Sequence, residues 1–167
     1  MLNAVKTIAA ISTASGAGGI AVIRLSGPLA FKIAKKITGS NLRPRVAEFH
    51  NFKDLNGILV DQGLVLFFPG PKSFTGEDVV EFQCHGGTVV AQSVLNLCLL
   101  MDAVLAEPGE FTKRAFLNNK IDLAQAESIA DLINASTEEA AQSAINSLSG
   151  KFSLEINNLL KYLIELR

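Results

Sequence analysis

A carboxylate placed between a strand and a loop makes Glu81 the first candidate for ligand binding. It lies in residues 79–84, where side chains alternate with the period of two that is typical of a β-strand. The preceding residues 69–78 begin with Pro-Gly-Pro and continue with polar, turn-forming residues, which predicts an irregular loop. An acid on rigid strand backbone beside such a loop is suited to accept hydrogen bonds from a ligand. An ordinary outward-facing strand position is the alternative interpretation.

Arg24 is the second candidate, because it is a charge within the otherwise apolar segment Ile20–Ser26. A guanidinium in such a setting needs an acceptor, since burial without one is costly. The acceptor is either an acid of this chain, which would make the pair structural, or an oxygen of a ligand. The residues alone leave both possibilities open.

Two adjacent reactive residues, Cys84 and His85, suggest a nucleophile and its base. Neighbouring strand residues point to opposite faces of a sheet, however, so these two side chains cannot act together. The other cysteine, Cys98, falls in a predicted helix, and neither cysteine has metal-ligand or CxxC spacing. We therefore expect two buried, reduced thiols, which favours a cytoplasmic protein. No catalytic residue and no metal site is assigned.

The glycine-rich residues 16–21 match the G-x-G-x-x-A pattern of dinucleotide-binding proteins. A β-branched strand follows the motif instead of a helix, and no acid lies about twenty residues further on, so a dinucleotide site is not expected. A tight turn, in which the backbone approaches another group closely, is the better interpretation. The chain also has no Gly-x-x-x-x-Gly-Lys-Ser/Thr sequence, so we do not expect it to bind GTP by itself.

The elements that must position these residues form a mixed set. Extended segments are predicted at 7–13, 20–26, 46–52, 58–68, 79–84 and 103–107, and helices at 28–38 and 87–101. Both hairpin and crossover connections are needed, so we expect an α+β fold with a mixed sheet. With 167 residues, 49% of them hydrophobic, the chain can bury a core. Its apolar runs are far shorter than the ~20 residues that span a bilayer.

After Phe111 the pattern is helical throughout. Capping boxes are predicted where Asp122 is followed by Gln125 and where Ser136 is followed by Glu139. These two boxes mark the starts of two helices. We expect a domain boundary near residue 118, with a first domain at 1–118 and the first helices of a second at 119–167.

An apolar stripe dominates the end of the chain. From Ala141 to Leu166 apolar residues recur every three or four positions, and only Gly150 lowers the helix propensity. The pattern predicts one long amphipathic helix. We expect this stripe to be covered by helices outside the chain or by a second copy, and we expect the chain to be a fragment.

The charge distribution is uneven although the net charge is only −1. Residues 1–47 contain seven basic residues and no acid, and all sixteen acids lie from Glu48 onward. Either the two parts of the chain neutralise each other, or the basic part faces an anionic partner such as RNA or a polyglutamate tail.

Two long blocks resemble a known family. Residues 69–87, PGPKSFTGEDVVEFQCHGG, and residues 108–133, PGEFTKRAFLNNKIDLAQAESIADLI, are similar to the tRNA-modification GTPases called MnmE or TrmE. The resemblance begins near Thr7 with IAAISTASGAGGIAVIRLSG and runs to the last residue. It does not include the GTPase part or the C-terminal cysteine motif of that family.

The resemblance implies an α+β fold, in which a mixed-sheet, aminomethyltransferase-like folate-binding and dimerisation domain precedes the start of an all-helical domain. It implies a cytoplasmic homodimer that does not contact membranes and that modifies the wobble uridine of certain tRNAs together with the flavoprotein MnmG. GTP, Mg²⁺ and K⁺ would bind only in the absent GTPase domain. This chain would supply the folate site and self-association rather than catalysis.

In the family, the positions that match Arg24, Glu81 and Lys120 bind a tetrahydrofolate derivative of the 5-formyl or methylene type. Lys120 is a candidate through the resemblance alone. A carboxylate can accept the adjacent N–H donors of a pterin, and the two cations can hold carbonyl or glutamate oxygens. The alternative function is a stand-alone folate-dependent aminomethyl or one-carbon transferase. A third interpretation is a helical self-association module with an unused pocket.

Overall fold

A computed structural model describes residues 6–165 of the chain, except for the side chain of Asn157. The chain divides into two compact units, which are separated in the sequence between Phe111 and Thr112. The domain boundary near residue 118 stays a prediction.

A β-sheet organises the first unit. Within the described residues its six strands are β1 (Ile8–Ile11), β2 (Ile20–Ser26), β3 (Glu48–Lys53), β4 (Leu59–Phe68), β5 (Val79–His85) and β6 (Val104–Leu105). Their order is β3-β4-β5-β2-β1-β6, and all neighbours are antiparallel except β1 and β6, which are parallel. The sheet is therefore mixed, and the expected α+β class is confirmed.

One face of the sheet carries the hydrophobic core. Two helices, α1 (Ala30–Thr38) and α2 (Thr88–Leu100), contribute buried residues to the same cluster as this face. The alternation predicted for β5 is observed, because Val80, Phe82 and Cys84 are all buried on the core side. Full burial of one large apolar side chain contributes about 1.5–3 kcal/mol, so this face supplies much of the stability of the unit.

The opposite face of the sheet carries the candidate ligand residues. Glu81 of β5 is paired in register with Arg24 of β2 and with Leu66 of β4, so the three side chains share this face. All three are intermediate in exposure. The central strands therefore hold the two candidate charges on rigid backbone.

The glycine motif forms the expected tight turn between β1 and β2. Gly18 donates its N–H to the carbonyl of Gly86 (3.0 Å), and Gly86 donates to the carbonyl of Gly19 (3.2 Å). A Cβ atom at Gly86 would lie only 2.4 Å from the carbonyl oxygen of Gly18, so a larger residue does not fit there. The group that this backbone approaches so closely is thus another part of the same chain.

The later part of the chain is helical. Its helices are α3 (Glu110–Leu117), α4 (Leu123–Asn134), α5 (Glu138–Leu148) and α6 (Lys151–Glu165). The capping box before α4 is confirmed, because Asp122 accepts from the N–H of Gln125 (2.8 Å) and Gln125 accepts from the N–H of Asp122 (3.0 Å). Among residues 6–165 no helix is both long and apolar enough to cross a membrane.

The second predicted capping box is wrong by one residue. Thr137, and not Ser136, has the extended backbone of the N-cap, and its hydroxyl accepts from the N–H of Ala140 (3.2 Å). The third residue of the helix is therefore Ala140, whose methyl group cannot bond back to the cap. Glu139 consequently completes no box.

The single long helix predicted from Ala141 onward is also wrong. One helix, α5, ends at Leu148 and the next, α6, begins at Lys151. Gly150 lies between them, and its φ of +83° is in the left-handed region that favours glycine. Side chains at the start of α4 hold this turn: Gln125 Nε2 donates to the carbonyl of Leu148 (2.8 Å), and Asp122 accepts from the hydroxyl of Ser153 (2.6 Å). The apolar period continues through the break because a turn of only two residues, Ser149 and Gly150, leaves the spacing almost unchanged.

Candidate functional site

An ion pair on the sheet face brings together two of the three candidate residues. Arg24 and Glu81 are directly opposite each other in the β2–β5 register. The Nε and Nη2 atoms of Arg24 lie 2.8 and 2.7 Å from the same oxygen of Glu81, Oε1. Within the described part of the chain, Glu81 Oε2 accepts no hydrogen bond. Of the two acceptors considered for Arg24, the structure shows an acid of this chain, while the second oxygen of that acid stays open to a ligand.

Exposure decides whether this pair can reach a ligand. The side chains of Arg24 and Glu81 are 31% and 17% exposed. A pair fully inside the core could not bind anything from solvent, and a fully exposed pair would be screened by water. Partial burial strengthens each hydrogen bond while leaving one side accessible.

Two aromatic rings lie next to the guanidinium. The Cζ atom of Arg24 is 5.8 Å from the ring centroid of Phe74 and 5.8 Å from that of Phe111. Contacts of this kind contribute about 0.5–1 kcal/mol where water reaches the cation. The charged pair is therefore bordered by flat apolar surfaces, which suits a planar heterocycle with polar edges.

Buried hydroxyl groups fix the loop that carries Phe74. Ser26 Oγ donates to Glu77 Oε2 (2.6 Å), and it lies 2.6 Å from Thr75 Oγ1. Since Ser26 has one hydroxyl hydrogen, the Thr75 hydroxyl is the donor in the second bond, and Thr75 in turn accepts from the N–H of Glu77 (3.3 Å). Ser26 and Thr75 are both fully buried. A closed ring of hydrogen bonds thus connects residues 75–77 to β2.

Backbone contacts close the two ends of the same loop. The N–H of Gly70 bonds to the carboxylate of Asp78 (2.9 Å), and the N–H of Gly27 bonds to the carbonyl of Asp78 (3.0 Å). The predicted irregular loop is confirmed, since residues 69–78 contain no helix or strand. Sequence reasoning did not single out Ser26, Thr75, Phe74 or Phe111. The only local signal was the density of short polar residues around Thr75.

The third candidate, Lys120, belongs to the second compact unit. Its N–H bonds to the carbonyl of Ala115 (2.9 Å), which closes the turn after α3 around Asn119, a residue with a positive φ of 55°. Lys120 lines a cavity of about 530 Å³ together with Phe116, Leu117, Asn119, Ile121, Asp122 and Gln125. Its grouping with the Arg24–Glu81 pair stays a prediction.

Cys84 and His85 lie on opposite faces, as predicted. Burial, together with the carboxylate of Asp61, raises the pKa of the Cys84 thiol to about 11, and burial raises the pKa of Cys98 to about 12. His85 is exposed and bonds through Nδ1 to Asp61 (2.7 Å), which also accepts the N–H of His85 (2.8 Å). Both thiols are therefore protonated near neutral pH, and neither has an imidazole base.

Internal pairing accounts for part of the uneven charge distribution. Arg43 Nε lies 2.7 Å from Glu48 Oε1, and its N–H bonds to the other oxygen of the same carboxylate (2.9 Å), which lowers the pKa of Glu48. With the Arg24–Glu81 pair, two of the seven basic residues in 1–47 thus pair with acids from the later part of the chain. The lysines on α1 are exposed: Lys32, Lys35 and Lys36. An anionic partner for them stays a prediction.

A separate cavity of about 550 Å³ lies beside the glycine turn and the start of α2. All the described residues that line it are uncharged, and they include Thr13, Ser15, Thr88 and Gln92. Neither Arg24 nor any acid borders it. We assign no role to this cavity.

Two family models match the chain. The model described as "GTP-binding protein TrmE N-terminus" matches residues 7–120, which include Arg24, Glu81 and Lys120. The model described as "MnmE helical domain" matches residues 123–167. The two matches follow one another along the chain and together cover most of the sequence.

Relatives with the name "tRNA modification GTPase MnmE" align with almost the whole chain. The protein from Pseudomonas putida strain W619 is 55% identical over 167 residues, which are 99% of this chain and 37% of the relative. The protein from Pseudomonas syringae pv. syringae strain B728a is 56% identical over 162 residues, which are 97% of this chain and 36% of the relative. This chain thus spans little more than a third of the length of these relatives. It belongs to the MnmE family, also called TrmE.

Proposed function

We propose that this chain binds a reduced folate through Arg24, Glu81 and Lys120 and supplies that site to a larger tRNA-modifying GTPase. The observation that carries the proposal is the half-buried Arg24–Glu81 pair on the sheet face, with Glu81 Oε2 open and two aromatic rings nearby. A ring N–H or an exocyclic amino group of a ligand can donate a hydrogen bond to that carboxylate.

The geometry refines how a pterin would bind. Glu81 Oε1 already accepts from Nε of Arg24 and lies 2.7 Å from Nη2, whereas Oε2 accepts no hydrogen bond within the described structure. We therefore expect Oε2 to accept the stronger pterin N–H bond, with Oε1 sharing a second one. Arg24 holds the carboxylate in one orientation, because its Nε and Nη2 atoms both lie within 2.8 Å of Oε1.

Lys120 is proposed as the cation for ligand oxygens. It is exposed and lies on the wall of a cavity large enough for part of a ligand of this size. An ammonium is a compact point charge, which suits a carbonyl or a carboxylate of the glutamate tail. Lys120→Ala should weaken folate binding less than the loss of Glu81, since an exposed charge pair contributes only about 0.2–1 kcal/mol.

The wider activity is proposed from the named relatives. They are tRNA modification GTPases, and this chain spans 37% of their length. We infer that the parent protein works in the cytoplasm with the flavoprotein MnmG on the wobble uridine of certain tRNAs. GTP, Mg²⁺ and K⁺ would bind to the GTPase domain of the parent protein, and this chain would contribute the folate site and a homodimer contact.

Titration calorimetry with 5-formyltetrahydrofolate tests the folate site. Glu81→Ala would leave the ligand's N–H donors unpaired at a cost of about 2–5 kcal/mol, so binding should weaken by roughly thirtyfold to several thousandfold. Glu48→Ala is the matched control, because Glu48 also pairs with an arginine and its side chain is similarly exposed, at 15%. Absence of folate binding by the unmodified chain, or equal losses in both variants, would contradict the proposal.

A further inference from the structure

Phe74 has an exposed ring and lies beside a part of the loop that hydrogen bonds hold to β2. Its side chain is 40% exposed, whereas its neighbour Thr75 is fully buried. Single exposed apolar side chains are common, so exposure alone does not indicate a site. What distinguishes Phe74 is its place beside the Arg24 guanidinium of the charged pair.

The loop next to Phe74 is held in place through Thr75. Ser26 Oγ and Thr75 Oγ1 each take part in two hydrogen bonds inside the protein. Both residues are fully buried, so a broken bond is not replaced by a bond to water, and this favours the closed arrangement. Ser26 is only two residues from Arg24 on β2. The network therefore ties the loop position of Phe74 to the strand that carries the ion pair.

We propose that Phe74 is the stacking wall of the ligand site and that Ser26, Thr75 and Glu77 are its positioning residues. This inference rests on the proposed folate site. A planar heterocycle whose edge bonds to Glu81 lies next to the guanidinium, and the ring of Phe74 is 5.8 Å from the centre of that guanidinium. Offset or tilted ring contacts occur at centroid distances of about 4.5–7 Å, so the ring of Phe74 is within reach of a bicyclic ligand.

Shielding of the ion pair from water is the competing role for Phe74. If Phe74 shields the pair, removal of its ring should weaken the Arg24–Glu81 pair and lower the melting temperature of the protein whether or not a ligand is bound. Stacking predicts a loss that is specific to ligands with a pterin ring. The two roles therefore differ in which ligand is affected.

Calorimetric titration of 5-formyltetrahydrofolate into single and double variants separates the roles. Phe74→Ala should weaken binding by about five- to twentyfold, while Phe74→Tyr should bind nearly as well as the unmodified chain, because a flat ring is retained. Competition by p-aminobenzoylglutamate, which lacks the pterin, should be unchanged in Phe74→Ala. Phe49→Ala is the control, since Phe49 is 66% exposed and lies on β3, which β4 separates from β5.

The positioning role is tested by a double-mutant cycle. Thr75→Val keeps the volume but removes the hydroxyl, so it should weaken folate binding to a lesser degree than Phe74→Ala. In the double variant the two losses should not add, because Thr75 acts through the ring that is already absent. Full additivity would overturn the positioning role, and unchanged folate affinity in Phe74→Ala would overturn the stacking role alone. No folate binding by the unmodified chain would contradict the proposed function and the stacking role together.

Discussion

The two compact units differ in how completely they bury their own apolar residues. In the first unit, two helices and one sheet face enclose a continuous core. In the second, the buried residues among those described are small: Ala115, Ser128 and Ala144. Helix α6 instead exposes a set of large apolar side chains, each at least 48% exposed: Phe152, Leu154, Ile156, Leu159, Leu160, Tyr162, Leu163 and Ile164.

This difference indicates which unit can hold a defined site. The Arg24–Glu81 pair lies on central strands whose other face is closed core, so its geometry is set by the fold of the first unit. The exposed apolar face of α6 exceeds what a water-soluble helix normally shows, so we expect another protein surface to cover it. A substitution in the core of the first unit should thus lower the stability of the fold, and a substitution on the apolar face of α6 should weaken association with another protein surface.

The largest expected effect is in the core of the first unit. Phe82 is fully buried and contacts Phe52 edge to face, with centroids 5.3 Å apart. Phe82→Ala should lower the free energy of unfolding by about 3–5 kcal/mol, because it removes the ring and leaves a cavity. Phe152→Ala on α6 should change it by less than about 0.5 kcal/mol. Urea unfolding of both variants checks this, and equal losses would remove the contrast between the units.

The core of the first unit was also the part that sequence patterns predicted best. Strict alternation around Phe82 places strand residues correctly because a shift by one position would expose the whole apolar set. The helical break at Gly150 was missed because apolar spacing alone does not report backbone conformation, although the glycine itself was the available signal. Sequence-local capping rules succeeded at Asp122 and failed by one residue at Thr137.

The candidate site could be predicted only in part. Arg24 and Glu81 stand out as charges in apolar or alternating strands, but their mutual contact joins residues 57 positions apart, and no local pattern gives that register. The bonds from Ser26 to Thr75 and Glu77 span a similar distance in sequence. Phe74 could not be predicted as a site residue, because the sequence does not distinguish a phenylalanine that faces solvent from one that packs in the core.

The next largest effect concerns association through α6. If a second copy covers the stripe, Leu159→Lys should weaken the dimer by about 1.5–3 kcal/mol, the value of one buried leucine. Sedimentation equilibrium across a concentration series measures this. A dimer that persists unchanged in Leu159→Lys would assign the contact to the first unit, and a monomer at every concentration in the unmodified chain would exclude self-association of this chain.

A smaller effect is expected at the turn between α5 and α6. Gly150→Ala should destabilise the second unit by about 1 kcal/mol, since an alanine must adopt the left-handed conformation there. The added methyl would meet only Gln125 Nε2, at 3.8 Å, so the cost is conformational and not steric. Thermal unfolding measures this, with Gly39→Ala as the control. Gly39 also has a positive φ (71°) and open space around it, but it ends α1 in the first unit, so the control should destabilise that unit instead.

The smallest effect is a pH dependence at Asp122. The hydroxyl of Ser153, and then the N–H of Gln125, hold the pKa of Asp122 below its ordinary value of 3.8. A carboxyl group whose pKa is lower in the folded than in the unfolded chain stabilises the folded state at pH values above the unfolded-state pKa. This contribution is lost as the pH falls through the folded-state pKa. The difference in melting temperature between the unmodified chain and Asp122→Asn should therefore shrink from about pH 6 to about pH 3. A difference that stays constant would show that the charge of Asp122 is not what stabilises the turn.

The central claim is that Glu81 is a hydrogen-bond acceptor for a folate and not merely the structural partner of Arg24. Glu81→Gln tests it most directly, because the amide oxygen can keep one bond to Arg24 while the amide nitrogen presents donors where an acceptor is needed. Folate affinity, measured by calorimetry, should fall by at least about thirtyfold, while the melting temperature without ligand changes by only a few degrees. Unchanged folate affinity together with a large drop in melting temperature would show that Glu81 serves the fold alone.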